Sequence, residues 1–188
     1  LRVAMGKPVT MSMSSAHGLL GLVRMSTCLL ELHLYGFSFD MDASIYLAIA
    51  HQCPQLHTLS VDCSNIEEGI LVELTRLCPH ITTLRLQKHF DFYDAGVLGV
   101  VRNLPNLVVL SLLDCEELTD TCLEYVAQYC ADNLEELYVG CSVNITHSAV
   151  ERVRTECSKL RVCKFLRQPL VVCQGSKELH AVGSLEDY

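Results

Sequence analysis

Eleven cysteines and eight histidines in 188 residues are the groups that could do chemistry in this chain. Thiolates and imidazoles bind zinc, and a cysteine beside a histidine base is a nucleophile. A zinc site needs ligands in paired, short spacings. No Cys-x-x-Cys pair occurs, and the mixed sets His51-x-Cys53 and Cys53-x-x-x-His57 stand alone. Cys115 with His147 is a conceivable nucleophile and base. Yet Cys115 occupies a position that recurs along the chain, and His147 sits where Asp120 sits one period earlier. There is no Gly-rich phosphate loop and no His-Glu-x-x-His. Glu135 and Glu136 are adjacent in an alternating strand pattern, on opposite faces, and cannot share one task. The expectation is a protein without catalytic residues, metal or cofactor, and not an enzyme.

The cysteines need another explanation. An odd number at periodic positions, with no secretory signal, reads as free buried thiols in a reducing compartment. A buried thiol behaves as a small hydrophobe. Cytoplasm or nucleus is the expected location, with the mitochondrion also compatible. Asn144-Ile145-Thr146 matches a glycosylation sequon, which a reducing compartment makes coincidental.

The period itself is set by Leu29, Leu56, Ile81, Leu107, Leu134 and Leu160, separated by 27, 25, 26, 27 and 26 residues. Such spacing means stacked repeats. Each anchor opens apolar-x-x-apolar-x-apolar: Leu29, Leu32, Leu34, then Leu56, Leu59, Val61, down to Leu160, Cys163, Phe165. The last two apolar positions alternate as in a strand. Six such strands side by side, about 4.8 Å apart, make a parallel sheet roughly 25–30 Å across. Between strands the apolar spacing becomes helical: Ile70, Leu74, Leu77; Val97, Val101, Leu104; Leu123, Val126, Ala127, Cys130; Val150, Val153, Cys157; and, less neatly, Ile45, Ile49, Cys53. Thr119 or Asp120, Thr146 and Asp94 are the expected N-caps. Proline after Cys53, Cys78 and Leu104 forces the turn into the next strand.

Cys53, Cys78, Cys130 and Cys157 fall at the helix-to-strand corner, with Leu104 taking that place once, and Cys63, Cys115 and Cys141 follow strands. Segments such as Cys53-Pro54-Gln55-Leu56 and Leu118-Thr119-Asp120-Thr121-Cys122-Leu123 resemble the cysteine-containing leucine-rich repeat, over roughly Thr27 to Phe165. Residues 87–92 carry no cysteine, and Phe37 replaces one in the first copy, so the pattern is degenerate there. The resemblance implies an α/β leucine-rich repeat solenoid of about six repeats, with a parallel sheet on the concave side and helices on the convex side. It is similar to the repeat domain of F-box/LRR proteins. That implies a protein–protein interaction module, the substrate-recognition domain of an F-box-like subunit of a cullin-type ubiquitin ligase. The Skp adaptor and cullin would be held by a region outside this chain. The alternative is a structural or assembly scaffold subunit of a large complex.

Residues 1–26 are expected to be a partial N-terminal repeat or cap (one strand, a long loop and one helix, with the apolar segment Leu19–Val23), 27–165 the array, and 166–188 a C-terminal cap or tail. The formal net charge of −8 disfavours nucleic acid and anionic membranes. No apolar run approaches the ~20 residues of a membrane span. Function is therefore expected on the free sheet face. Its central column reads His33, Ser60, Arg85, Ser111, Tyr138, Lys164. Flanking it are Glu136 on one side and Tyr35, Asp62, Gln87 and Leu113 on the other. Tyr and Arg are the types that dominate protein interfaces, and Leu113, expected to be exposed beside Tyr138, would be an apolar anchor.

Overall fold

The computed structural model describes residues 2–4, 8–10, 21, 28–34, 43–62, 66–87, 91–140 and 142–166, with backbone alone for 2–4, 8–10, 43, 62 and 166. Tyr35, Phe37, Cys63, Cys141, the Leu19–Val23 segment except Gly21, and the tail after Leu166 lie outside the described residues. Six strands, β3 (Glu31–Leu34), β4 (Thr58–Asp62), β5 (Thr83–Gln87), β6 (Val109–Leu113), β7 (Glu136–Gly140) and β8 (Val162–Leu166), run parallel in sequence order. Five helices alternate with them: α1 (Ala43–Gln52), α2 (Glu68–Leu77), α3 (Asp94–Asn103), α4 (Asp120–Cys130) and α5 (His147–Glu156). The fold is a leucine-rich repeat solenoid, with the sheet concave and the helices convex. At the N-terminal edge, β1 (Arg2–Ala4) and β2 (Pro8–Thr10) form a hairpin, and β1 pairs antiparallel with β3. The single strand expected there is thus a hairpin of the opposite sense to the repeats.

The register places like positions side by side. Leu32, Leu59, Leu84, Leu110, Leu137 and Cys163 form one row across six strands. The five leucines of that row are at most 1 % exposed, as are anchors Leu29, Leu56, Ile81, Leu107 and Leu134. The row weakens in the last repeat, where Leu160 and Cys163 are only partly buried. The helices close the core from the other side. Four of the five helical stripes are buried as the spacing predicts. In α2 the face is turned by one residue: Leu71, Leu74 and Thr75 are buried, whereas Ile70 and Leu77 are half-buried. Thr75 tolerates burial because its hydroxyl donates to the Val72 carbonyl at 2.8 Å.

Two hydrogen-bonded ladders join the repeats. The first enters each strand. The carbonyl of Leu30 accepts the N–H groups of both His57 and Thr58, at 2.8 and 3.0 Å. His57, Thr82, Val108 and Glu135 carbonyls do the same for the following repeat, ending on Arg161 and Val162. The second runs along the helix starts. Glu68 accepts from the Tyr93 N–H at 3.0 Å. Asp94 accepts from Thr119 N–H and its hydroxyl, at 2.9 and 2.5 Å. Asp120 does likewise for Thr146, at 2.6 and 2.8 Å. Asp94 is therefore not the N-cap expected of it. Tyr93 holds that place, and Asp94, in the first turn, anchors the next repeat while its charge suits its own helix dipole. Thr119 and Thr146 are N-caps as expected, accepting from Thr121 and Ala149 N–H.

The corner thiols are buried as the repeat pattern requires: Cys53, Cys78, Cys130 and Cys157 are at most 2 % exposed. Cys78 donates to the carbonyls of Ala50 and Cys53 in the preceding repeat. Burial disfavours the thiolate. It pushes Cys78 and Cys130 up to about 12, and Cys53 and Cys157 up to about 11. Of the eight described cysteines six are buried, Cys28 is exposed and Cys163 is half-buried.

Leu110→Ala and Leu137→Ala should each cost roughly 2–5 kcal/mol through lost burial and cavity formation, read from denaturant midpoints; an unchanged midpoint would remove these leucines from the core. The thiols set a pH dependence. Their folded pKa values lie above the ordinary 9.0, so their contribution to stability is complete below pH 9 and is lost as pH rises towards 11–12. Unfolding midpoints measured upward from pH 8 should decline over that window. Thiol titration of the native protein at pH 8 should leave the six buried cysteines unreacted.

Candidate protein-binding face

The strand period of two turns alternate residues of β3–β8 away from the core, onto the concave surface. The register assembles the expected central column as His33, Ser60, Arg85, Ser111, Tyr138, Lys164. Large and small side chains alternate along its first five places. Curvature brings outward-pointing groups on neighbouring strands towards one another, so long side chains overtop short ones.

That convergence changes which residues a partner meets. Ser60 and Ser111 are 0 % and 2 % exposed. They form a floor, not contact points. Leu113 is also buried, at 7 %, beside Gln87 in the register, and is not the exposed anchor expected beside Tyr138. Its whole strand, β6, is buried on both faces. Lys164 is exposed, and His33, Arg85, Gln87, Glu136 and Tyr138 are half-buried. Asp62 lies in β4 opposite Gln87 by its backbone.

Above Ser111, Arg85 and Tyr138 reach each other from strands two apart. The Arg85 guanidinium carbon lies 5.6 Å from the Tyr138 ring centroid, within cation–π range. Tyr138 donates its hydroxyl hydrogen to Glu136 Oε2 at 3.0 Å. Arg85 Nη2 stands 3.9 Å from the same oxygen. Partial burial raises the Tyr138 pKa, the Glu136 hydrogen bond and charge raise it further, and Arg85 opposes them. At the other end of the column, His33 Nδ1 and Ser60 Oγ share a 3.0 Å hydrogen bond, and His33 Nε2 is 3.8 Å from Glu31. The column thus consists of two side-chain clusters on a serine floor. Sequence reading named His33, Ser60, Arg85, Glu136 and Tyr138 but not their clustering; the alternation of serine with long side chains was the available signal.

The groups that suggested chemistry are dispersed. Cys115 is fully buried, its thiol directed to the Leu113 carbonyl, while His147 is exposed at the start of α5 with Nε2 3.8 Å from Glu151. His57 Nδ1–H donates to the Gln55 carbonyl at 2.6 Å, and its ring stacks on that of His80 with centroids 6.2 Å apart. Among the described residues no group of three or more His, Cys, Asp or Glu could hold a metal ion. Among them, too, no helix is long and apolar enough to cross a membrane.

No family model and no curated protein matches the sequence. Solved structures resemble its fold, and two of them illustrate the likeness. The tropomodulin C-terminal domain of Caenorhabditis elegans is 13 % identical with a TM-score of 0.56, over 78 % of this chain and 93 % of that one. A chain of the yeast Rad7 and Elc1 complex is 16 % identical with a TM-score of 0.40, over 81 % of this chain and 54 % of that one. This chain therefore spans about half the length of the second. The first likeness supports the fold alone, and the second is too distant to add to it.

Replacing Glu136 by Gln removes the negative charge and weakens the acceptor facing Tyr138. In Glu136→Gln the Tyr138 ring should titrate at lower pH than in the wild type, followed by NMR of the ring resonances. An unchanged titration would mean that the Tyr138–Glu136 hydrogen bond does not form in solution.

Proposed function

We propose that this chain is a protein-interaction module whose partner sits on the concave sheet face, and that it serves as the substrate-recognition domain of an F-box-like subunit of a cullin-type ubiquitin ligase. The observation that carries the interaction reading is the Arg85–Tyr138–Glu136 cluster. Arginine and tyrosine are the residue types that most often dominate binding energy. Here they are held against each other before any partner arrives, which lowers the entropy lost on binding. His33, Gln87 and Lys164 extend the contact surface to either side, over the floor of Ser60, Ser111 and Leu113. The ligase reading is supported by the cysteine positions: the same four corner thiols that make the sequence similar to F-box/LRR repeat domains are buried in the core. The Skp adaptor and cullin would bind a region outside this chain.

Affinity purification of the full-length protein tests both levels. Recovery of a Skp adaptor and a cullin supports the ligase role; stoichiometric recovery of a stable complex without them supports a scaffold subunit instead. Within the recovered set, Tyr138→Ala and Arg85→Ala should each weaken the substrate partner by about tenfold, the usual scale of an interface hot spot, with thermal unfolding close to wild type. An equal loss of stability in these variants would withdraw the face assignment.

A further inference from the structure

The charge of this chain is not evenly spread. Residues 66–136 contain thirteen Asp and Glu against four Lys and Arg, a net of −9. Residues 147–166, the last helix and strand, contain five Lys and Arg against two Glu, a net of +3. The final repeat is a basic end on an acidic array.

Its cations differ in how far they are already engaged. Arg152 is tied back to Glu124 at 3.0 Å, and Arg154 donates to the Cys163 carbonyl at 3.1 Å. Arg161 stands 3.7 Å from Glu135 with its side chain 76 % exposed. Among the described residues Lys159 is bonded to the neutral amide oxygen of Asn133 and to no carboxylate. Lys164 is exposed on the concave column next to Tyr138 and makes no ion pair with a described residue. On the other side of Tyr138, across Ser111, lies Arg85, whose nearest carboxylate oxygen is 3.9 Å away and already takes the tyrosine hydroxyl hydrogen.

We propose that the C-terminal half of the concave face, from Arg85 across Tyr138 to Lys164, takes an extended acidic segment of a protein partner. The inference rests on the concave face being the partner surface and adds the chemistry of what binds there. Arg85 and Lys164 are three strands apart in the register, about 14 Å at the usual strand spacing. An extended chain covers that distance in about four residues. Two carboxylates so spaced would meet the two cations, with the chain between them lying on the Tyr138 ring. Lys159 and Arg161 in the same repeat add positive potential. A nucleic acid strand offers negative charge too. It carries a phosphate at every nucleotide, however, whereas the column between Arg85 and Lys164 holds only the neutral Ser111 and Tyr138, with the Glu136 carboxylate beside them.

The test is selection of about 12-residue random phage-displayed peptides on the full chain, followed by fluorescence anisotropy with the selected peptides. The expected peptides are rich in Asp and Glu, with two acids about four residues apart. Their affinity falls about three- to tenfold in each of Arg85→Gln and Lys164→Gln, falls further in Lys164→Glu, and is unchanged in Arg102→Gln on the convex side. Thermal melts of all variants match the wild type. Uncharged or basic peptides whose binding requires Tyr138 overturn the acidic-partner inference and leave the concave interaction face standing. Peptides indifferent to Tyr138, Arg85 and Lys164 overturn both. Tighter binding of a fluorescein-labelled oligodeoxythymidine of about 20 nucleotides, with the same dependence on Arg85 and Lys164, makes the occupant a nucleic acid and overturns the inference as well.

Discussion

Each repeat in this chain is completed by its neighbour. At every strand entry one carbonyl takes two consecutive N–H groups from the next repeat, five times over from Leu30 to Glu135. A repeat cut from the array would leave those donors to water and one side of its leucine row uncovered. The unit of stability is consequently the seam between repeats, as in other one-dimensional arrays. The carboxylates at the helix starts add a second stitch on the opposite side of the strand: Glu68, Asp94 and Asp120 each hold the N-cap residue one repeat further on. Sheet and helix layers are thereby kept in the same register.

What could be read from the sequence follows from which of these seams use side chains of distinctive type. The apolar anchors could be read because burial selects leucine at fixed intervals. The corner cysteines could be read because few other residues are both small and tolerant of full burial. The bifurcated carbonyls could not, since any residue supplies a carbonyl: Leu30, His57, Thr82, Val108 and Glu135 share no chemistry in their side chains. The carboxylate stitch was half visible. Asp94 and Asp120 were noted as caps of their own helices, but their oxygens serve the helix that follows. The turned face of α2 escaped because Ile70 and Leu71 are adjacent and equally apolar, so spacing alone does not choose between them. The antiparallel sense of β1 has no sequence signal in three residues.

On the concave side, register was legible and burial was not. Alternation correctly separates Arg85 and Tyr138 from the leucine row. It carries no information on curvature, and curvature decides that Ser60, Ser111 and Leu113 are covered while Arg85 and Tyr138 meet above one of them. The same geometry turns a list of solvent-facing residues into a small, ordered patch: a guanidinium on a ring, the ring hydroxyl on a carboxylate. A set of pairwise contacts of that kind restricts side-chain rotamers in the free protein, so less freedom is lost when a partner arrives.

The helix layer also contains a pinch. A Cβ on Gly96 would lie 2.5 Å from Phe92 Cε2 and 2.6 Å from Glu68 Cγ, and one on Gly99 would lie 2.7 Å from Val72. Helices α2 and α3 therefore approach as closely as they do because two side chains are missing between them. In a solenoid, the arc is governed by how far apart the outer layer holds successive units compared with the inner one. Drawing the outer layer together at this joint flattens the bow locally, because the hydrogen bonds between β4 and β5 hold the inner strands at their own spacing. The two glycines thus set the local bend beneath β5, the strand that carries Arg85, at a distance from it and without touching whatever it holds.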